Sequence, residues 1–214
     1  MTASTERASP LGAEAGWLTA ASASPAHFAL RELPFVAQIN LRGEPDDAFK
    51  AAVRDATGLT LPEQAGAWSG DAARCAIWLG PDEWLITGGD GEHAPIESAL
   101  RTALRGRHHS VVDVSASRTV LALSGRDARP VLARGCTLDV STRAFSPPAT
   151  AQTLLAKSQV ILQCIATERE SAFRLYVRNS FAEYLARWLV DAAGEAAASR
   201  ALDGERLADR FLRG

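Results

Sequence analysis

Residues 111–140 read VVDVSASRTVLALSGRDARPVLARGCTLDV. The stretch parses as an extended segment, a strand over 118–124, a turn at Gly125 and a short helix. Ala128, Val131 and Leu132 face inward on that helix, Gly135 ends it, and Thr137-Leu138-Asp139-Val140 leads out. Pro130 is tolerable in the helix only near its first turn, because proline lacks the N–H that a deeper position must donate.

Working toward the C-terminus, 151–157 and 159–167 read as two strands. The run VILQCIA is nearly all apolar, as expected of a strand covered on both faces. A further strand alternates over 173–177. Ser180 and Glu183 have the spacing of a capping box. Phe181, Leu185, Trp188, Leu189 and Ala192 then form the buried stripe of a helix.

Toward the N-terminus the same order recurs. A strand at 35–41 is followed by Glu44-Pro45-Asp46-Asp47, a proline and acids where a helix starts. Phe49, Ala52, Val53 and Ala56 share one helical face, and Gly58 supplies a left-handed cap. Residues 59–71 read as a loop around Trp68. Strands at 75–79 and 83–87 flank Gly80-Pro81-Asp82, which is turn chemistry, so they form a hairpin. Pro95 opens a second helix with Ile96, Ala99, Leu100, Ala103 and Leu104 on one face.

Strand, helix, strands, helix, twice over, indicates a structural duplication. The expected fold class is α+β, two ferredoxin-like β-α-β-β-α halves, each with its helices on one face of an antiparallel sheet. The expected division is a flexible N-terminal arm at 1–25, the duplicated fold at 26–194 with halves at 26–107 and 108–194, and a C-terminal helix at 195–214. That helix would pack on its own domain or on a partner chain.

The 214 residues are 47% hydrophobic, enough to supply a core. The net charge is −2 and the basic residues are dispersed, which argues against nucleic acid as the main partner. No apolar run is long enough to span a bilayer, and no secretory signal is read, so the expected location is cytoplasmic. Cys75, Cys136 and Cys164 form no CxxC and read as reduced thiols.

Candidate chemistry is sparse. His108 and His109 are adjacent, so on a strand they point to opposite faces and do not chelate one metal; His27 and His93 complete no ligand pattern. Asp113, Ser115 and Ser117 lack a G-x-S-x-G elbow and read as polar residues at a strand edge. Gly125-Arg126-Asp127 is a turn, since a lone glycine makes no phosphate cradle. Among the five tryptophans, Trp78 and Trp188 read as core. Trp17 in the arm, Trp68 in its loop and Trp84 beside the hairpin turn are the candidate partner-interface residues, each either exposed for a partner or capping the core.

Residues 78–86, WLGPDEWLI, together with the opening stretch, QTLLAKSQVILQCI at 152–165 and FRLYVRNSFAEYLARWLVDAA at 173–193, resemble the gamma subunit of heterotetrameric sarcosine oxidase. Ser9-Pro10-Leu11 also looks like the start of such subunits. The family is similar in fold to the folate-binding domain of glycine-cleavage aminomethyltransferases. The resemblance implies a non-catalytic subunit, partnered by alpha, beta and delta subunits, in a complex that demethylates sarcosine to glycine. It places FAD, FMN, NAD, zinc and tetrahydrofolate in the other subunits and none in this chain.

In the transferases, the strand matching 159–166 carries or precedes acids that serve folate chemistry. Here it offers Gln163 and Cys164. A neutral amide is no general base, so independent folate chemistry is not expected. The alternative, a stand-alone tetrahydrofolate-binding or one-carbon-transfer protein, would have to rely on Asp113 or Asp139.

Overall fold

The computed structural model describes residues 7–22, 24, 26–166 and 171–212, with side chains as far as residue 198. The first half builds β2 (Ala37–Gly43), α2 (Asp47–Thr57), β4 (Cys75–Gly80), β5 (Glu83–Gly88) and α3 (His93–Ala103), as its periodicity predicts. Asp46 caps α2 by accepting from the Phe49 N–H at 2.6 Å. Gly58 ends the helix at φ 75°, a conformation that favours glycine. The loop expected at 59–71 also contains a short strand, β3 (Trp68–Gly70), paired with β4.

The second half builds β7 (Arg118–Gly125), α4 (Ala128–Ala133), β8 (Thr150–Leu155), β9 (Ser158–Ala166), β10 (Ser171–Arg178) and α5 (Ala182–Leu212). Pro130 sits in the first turn of α4, where its missing N–H has no partner to lose. The capping box at Ser180 and Glu183 does not form. A 3-10 turn, Asn179–Phe181, opens α5 instead, and Glu183 accepts from Arg187 at 3.0 Å. The helix expected at 195–214 is not a separate element, because α5 runs through Gly194 as one helix.

The strands form two antiparallel sheets with the orders β3-β4-β5-β2-β6 and β1-β7-β10-β9-β8. The division at residue 107 separates the helices but not the sheets. Strand β6 (His109–Asp113) lies in the second half yet closes the first sheet against β2. Strand β1 (Ala29–Leu33) lies in the first half yet closes the second sheet against β7. Each unit thus obtains the fourth strand that a ferredoxin-like sheet needs. In the first unit it follows α3 in sequence. In the second, α5 continues as helix and β1 fills the place.

The arm expected to be flexible is folded from residue 9. It forms a 3-10 turn at Gly12–Glu14 and then α1 (Ala15–Ala21). Leu11 and Leu18 are buried against the second sheet, beside Leu30 and Leu123. Glu32 of β1 accepts from Thr119 of β7 at 2.5 Å and from Ser9 of the arm, which ties arm, edge strand and sheet together.

The layers run helix, sheet, sheet, helix. Phe49, Val53, Ile96 and Leu100 of α2 and α3 pack on Ile39, Leu41, Trp84 and Ile86 of the first sheet. The helices α1, α4 and α5 cover the outer face of the second. Between the sheets lies a seam of Cys75, Ile77, Leu85, Val120, Ile161 and Tyr176. This explains VILQCIA: Val160, Leu162 and Cys164 face the helices, while Ile161 and Gln163 face the seam. The sheets are joined at one end, where Trp68 N–H donates to Pro148 O at 3.0 Å and Thr150 N–H to Gly66 O at 2.7 Å.

Trp84 corrects an expectation. Its place beside a turn suggests a partner contact, but it is only 1% exposed. Strand alternation puts it with Ile86 on the helix-facing side. There its ring lies 6.1 Å from Phe49, and its Nε1 donates to Pro62 O at 2.9 Å.

Candidate functional site

The position where the resemblance expects an acid lies in the seam. Gln163 is fully buried there. The Tyr176 hydroxyl on β10 donates to its Oε1 at 3.0 Å, and its Nε2 donates to Cys75 Sγ across the seam at 3.4 Å. Cys75 Sγ lies 3.0 Å from Thr87 Oγ1. Burial pushes the Tyr176 hydroxyl far above the usual tyrosine range, so it keeps its proton. Gln163 and Thr87 carry no charge, and both ends of the Gln163 amide are engaged. The arrangement provides hydrogen bonding between two sheets and holds no carboxylate. It does not fit a grip on a pterin ring.

Cys164 points the other way, toward the helices. Burial raises its thiol pKa and the nearby Arg129 guanidinium, 3.6 Å from Sγ, offsets part of that. Arg129 also donates to Phe145 O at 2.9 Å and to Ser171 Oγ at 2.8 Å, and lies over the Phe173 ring. It is a clip holding the segment after α4 onto the sheet.

Asp113 and Asp139, on one or the other of which a folate reading would rely, lie beside different sheets and are each held by a serine of their own turn. Asp113 ends β6 in the first sheet, where its Oδ1 accepts from the Ser115 N–H at 2.9 Å and the Ser115 hydroxyl at 2.5 Å. Ser115 Oγ in turn accepts from Gln38 N–H at 2.9 Å, so this serine is a turn residue and no nucleophile. Asp139 lies after α4 on the outer side of the second sheet. The Ser141 N–H, at 2.9 Å, and then its hydroxyl hold Asp139 below the usual carboxylate range. His109 Nδ1 contacts Arg107 O at 2.8 Å, and His27 faces Asp127 at 3.8 Å. Among the described residues no three His, Cys, Asp or Glu side chains converge on a metal site.

Of the remaining interface candidates, Trp17 is half-buried under the Arg187 guanidinium, 5.0 Å from its ring centre. Trp68 is half-buried at the seam, and its Nε1 donates to Cys164 O at 3.0 Å. Leu154, Val112, Phe181, Tyr184 and Leu138 are the large hydrophobic side chains left exposed among the described residues. Sequence reasoning passed over Arg118 and Arg178, which face each other on β7 and β10. Their juxtaposition depends on strand register, which no single-strand pattern displays.

Two stacked ferredoxin-like sheets with helices outside define an aminomethyltransferase-like fold. The glycine cleavage system aminomethyltransferase T from Bartonella henselae shares it, with a TM-score of 0.58 at 17% identity over 81% of this chain and 48% of that one. A narrower likeness fixes the family. The model of the "Sarcosine oxidase, gamma subunit family" matches residues 42–195, and the chain belongs to that family.

The sarcosine oxidase subunit gamma of Corynebacterium sp. (strain P-1) is 37% identical over 167 residues, 78% of this chain and 80% of the relative. That of Arthrobacter sp. is 38% identical over 167 residues, with the same shares. A chain of the heterotetrameric sarcosine oxidase from Corynebacterium sp. U-96, solved in complex with pyrrole 2-carboxylate, superposes with a TM-score of 0.80. It is 35% identical, over 88% of this chain and 95% of that one.

Proposed function

We propose that this chain is the non-catalytic gamma subunit of a cytoplasmic heterotetrameric sarcosine oxidase that demethylates sarcosine to glycine. Alpha, beta and delta subunits are its partners, and FAD, FMN, NAD, zinc and tetrahydrofolate are bound by them. The observation that carries the reading is the match along 95% of a chain from a heterotetrameric sarcosine oxidase. The seam around Gln163 supports a structural role, because it holds no carboxylate where the transferases use acids.

Trp17 and Trp68 are retained as partner contacts, joined by Phe181 and Tyr184. Half-buried aromatics already held on one side lose little conformational freedom when a partner covers the other. The test is a native pull-down with the chain as bait, followed by an absorbance spectrum and an assay of the eluate. A yellow complex of large chains active on sarcosine is the expected result. A colourless, solitary chain from a source expressing the whole enzyme overturns the reading.

A further inference from the structure

Arg118 opens β7 and Arg178 ends β10, and the antiparallel register sets the two directly opposite. They share strand parity with Val120 and Tyr176, so both project toward the seam side of the second sheet. Like charges directly opposite on adjacent strands destabilise a sheet. Arg42, Arg74, Arg101, Arg107 and Arg134 each hold a carboxylate, whereas Arg31, Arg54, Arg105 and Arg126 hold none among the described residues but lie exposed to water. Among the described residues, neither Arg118 nor Arg178 has a hydrogen-bond or ion-pair partner for its guanidinium.

Arg118 is also half-buried. Burial first, and then the Arg178 charge, draw it below the usual arginine range. Glu83 offsets part of this from the first sheet, and that carboxylate already accepts from Asn40 at 2.7 Å. The pair lines a cleft of about 290 Å³. Its lining mixes polar and apolar side chains in register: Gln152 lies opposite Ile161 and Leu154 opposite Gln159, and Tyr176 lies opposite Ile161 on the other flank.

We infer that this cleft is a carboxylate-binding site, in which Arg118 and Arg178 share the oxygens of one carboxylate and Leu154 and Ile161 pack on the carbon chain behind it. Paired guanidinium forks suit a planar carboxylate. The half-apolar lining suits an aliphatic acid better than a phosphate, which calls for donors on all sides. The carboxylate comes either from a free small acid or from an Asp or Glu side chain of a partner subunit.

Calorimetric titration of the full chain with glutarate at constant ionic strength tests the site, with glutaramide as its uncharged counterpart. Saturable glutarate binding is expected, weakened about tenfold or more in both Arg118→Gln and Arg178→Gln, the loss of roughly one charge-assisted contact. No saturable heat with glutaramide is expected. Because each substitution relieves repulsion, Arg178→Gln should unfold at or above the wild-type temperature, whereas a merely structural arginine would lower it. Absence of saturable glutarate binding, equal binding by both variants, or equal binding of glutaramide overturns the inference.

Repeating the titration on the purified complex separates the two sources. Retained binding indicates a free acid. Binding by the isolated chain but not by the complex indicates a partner's side chain. Only this second arm rests on the assembly proposed above, so a failure of the assembly leaves the first arm intact.

Discussion

Replacing Tyr176 with phenylalanine tests whether the seam is sealed. The change removes one oxygen and leaves the ring in place. It takes away the donor that reaches Gln163 Oε1 at 3.0 Å, in a side chain with no exposed surface. A buried acceptor left unmet costs about 1–3 kcal/mol. For a chain of this length, a loss of about 2 kcal/mol lowers the unfolding midpoint by roughly 4–8 °C. Gln163→Met should cost a similar amount by stranding the tyrosine hydroxyl, while Cys75 keeps Thr87 as partner. The double variant replaces both polar partners with apolar groups, so it should recover to within about 1 kcal/mol of wild type. Urea denaturation of the four proteins closes the cycle, with an expected coupling of about 1–3 kcal/mol. If Tyr176→Phe costs less than about 0.5 kcal/mol, or if the single losses simply add, water already reaches Gln163. The seam would then be an open site, and the case for a structural role would lose its physical basis.

The same tyrosine predicts an alkaline limit. Its folded pKa is raised, so its contribution to stability is complete below about pH 10 and declines as pH rises above that value; denaturation between pH 9 and 11 should show a shallower decline for Tyr176→Phe than for wild type. Trp84→Ala should cost about 3–5 kcal/mol in thermal unfolding. By contrast, Phe181→Ser and Tyr184→Ser should each stay within about 0.5 kcal/mol on the isolated chain and reduce the partner chains recovered in the pull-down. Gly125→Ala should destabilise by more than about 1 kcal/mol, because Gly125 has φ 112° and a Cβ there would fall on the His27 carbonyl. Hydrogen exchange should place that loss at 29–33, in β1, while the β9–β10 pair keeps its protection.

Elements with one face in water were legible because their periodicity survives in sequence. Phe49, Val53 and their neighbours mark α2, and Gly80-Pro81-Asp82 marks the hairpin. Information was lost where pairing partners are distant. Residues 29–33 carry only two buried or half-buried leucines around Arg31 and Glu32, and nothing local says that they lie against residues 120–124. The chemistry of the candidate site behaved likewise. Gln163 is legible as the wrong residue for a base, but Tyr176 and Cys75, which satisfy it, lie 13 and 88 residues away. Trp84 differs for a related reason: it lies near a turn, but strand parity, not proximity to the turn, decides which face is covered. Parity also bears on Arg118 and Arg178. Each is unremarkable at the end of its own strand, and only the register makes them neighbours. A sheet with two buried faces tolerates a polar group only where a partner meets it. The seam meets Gln163 from within the chain, whereas the arginine pair, half-buried at Arg118 and exposed at Arg178, stays open to a partner from outside.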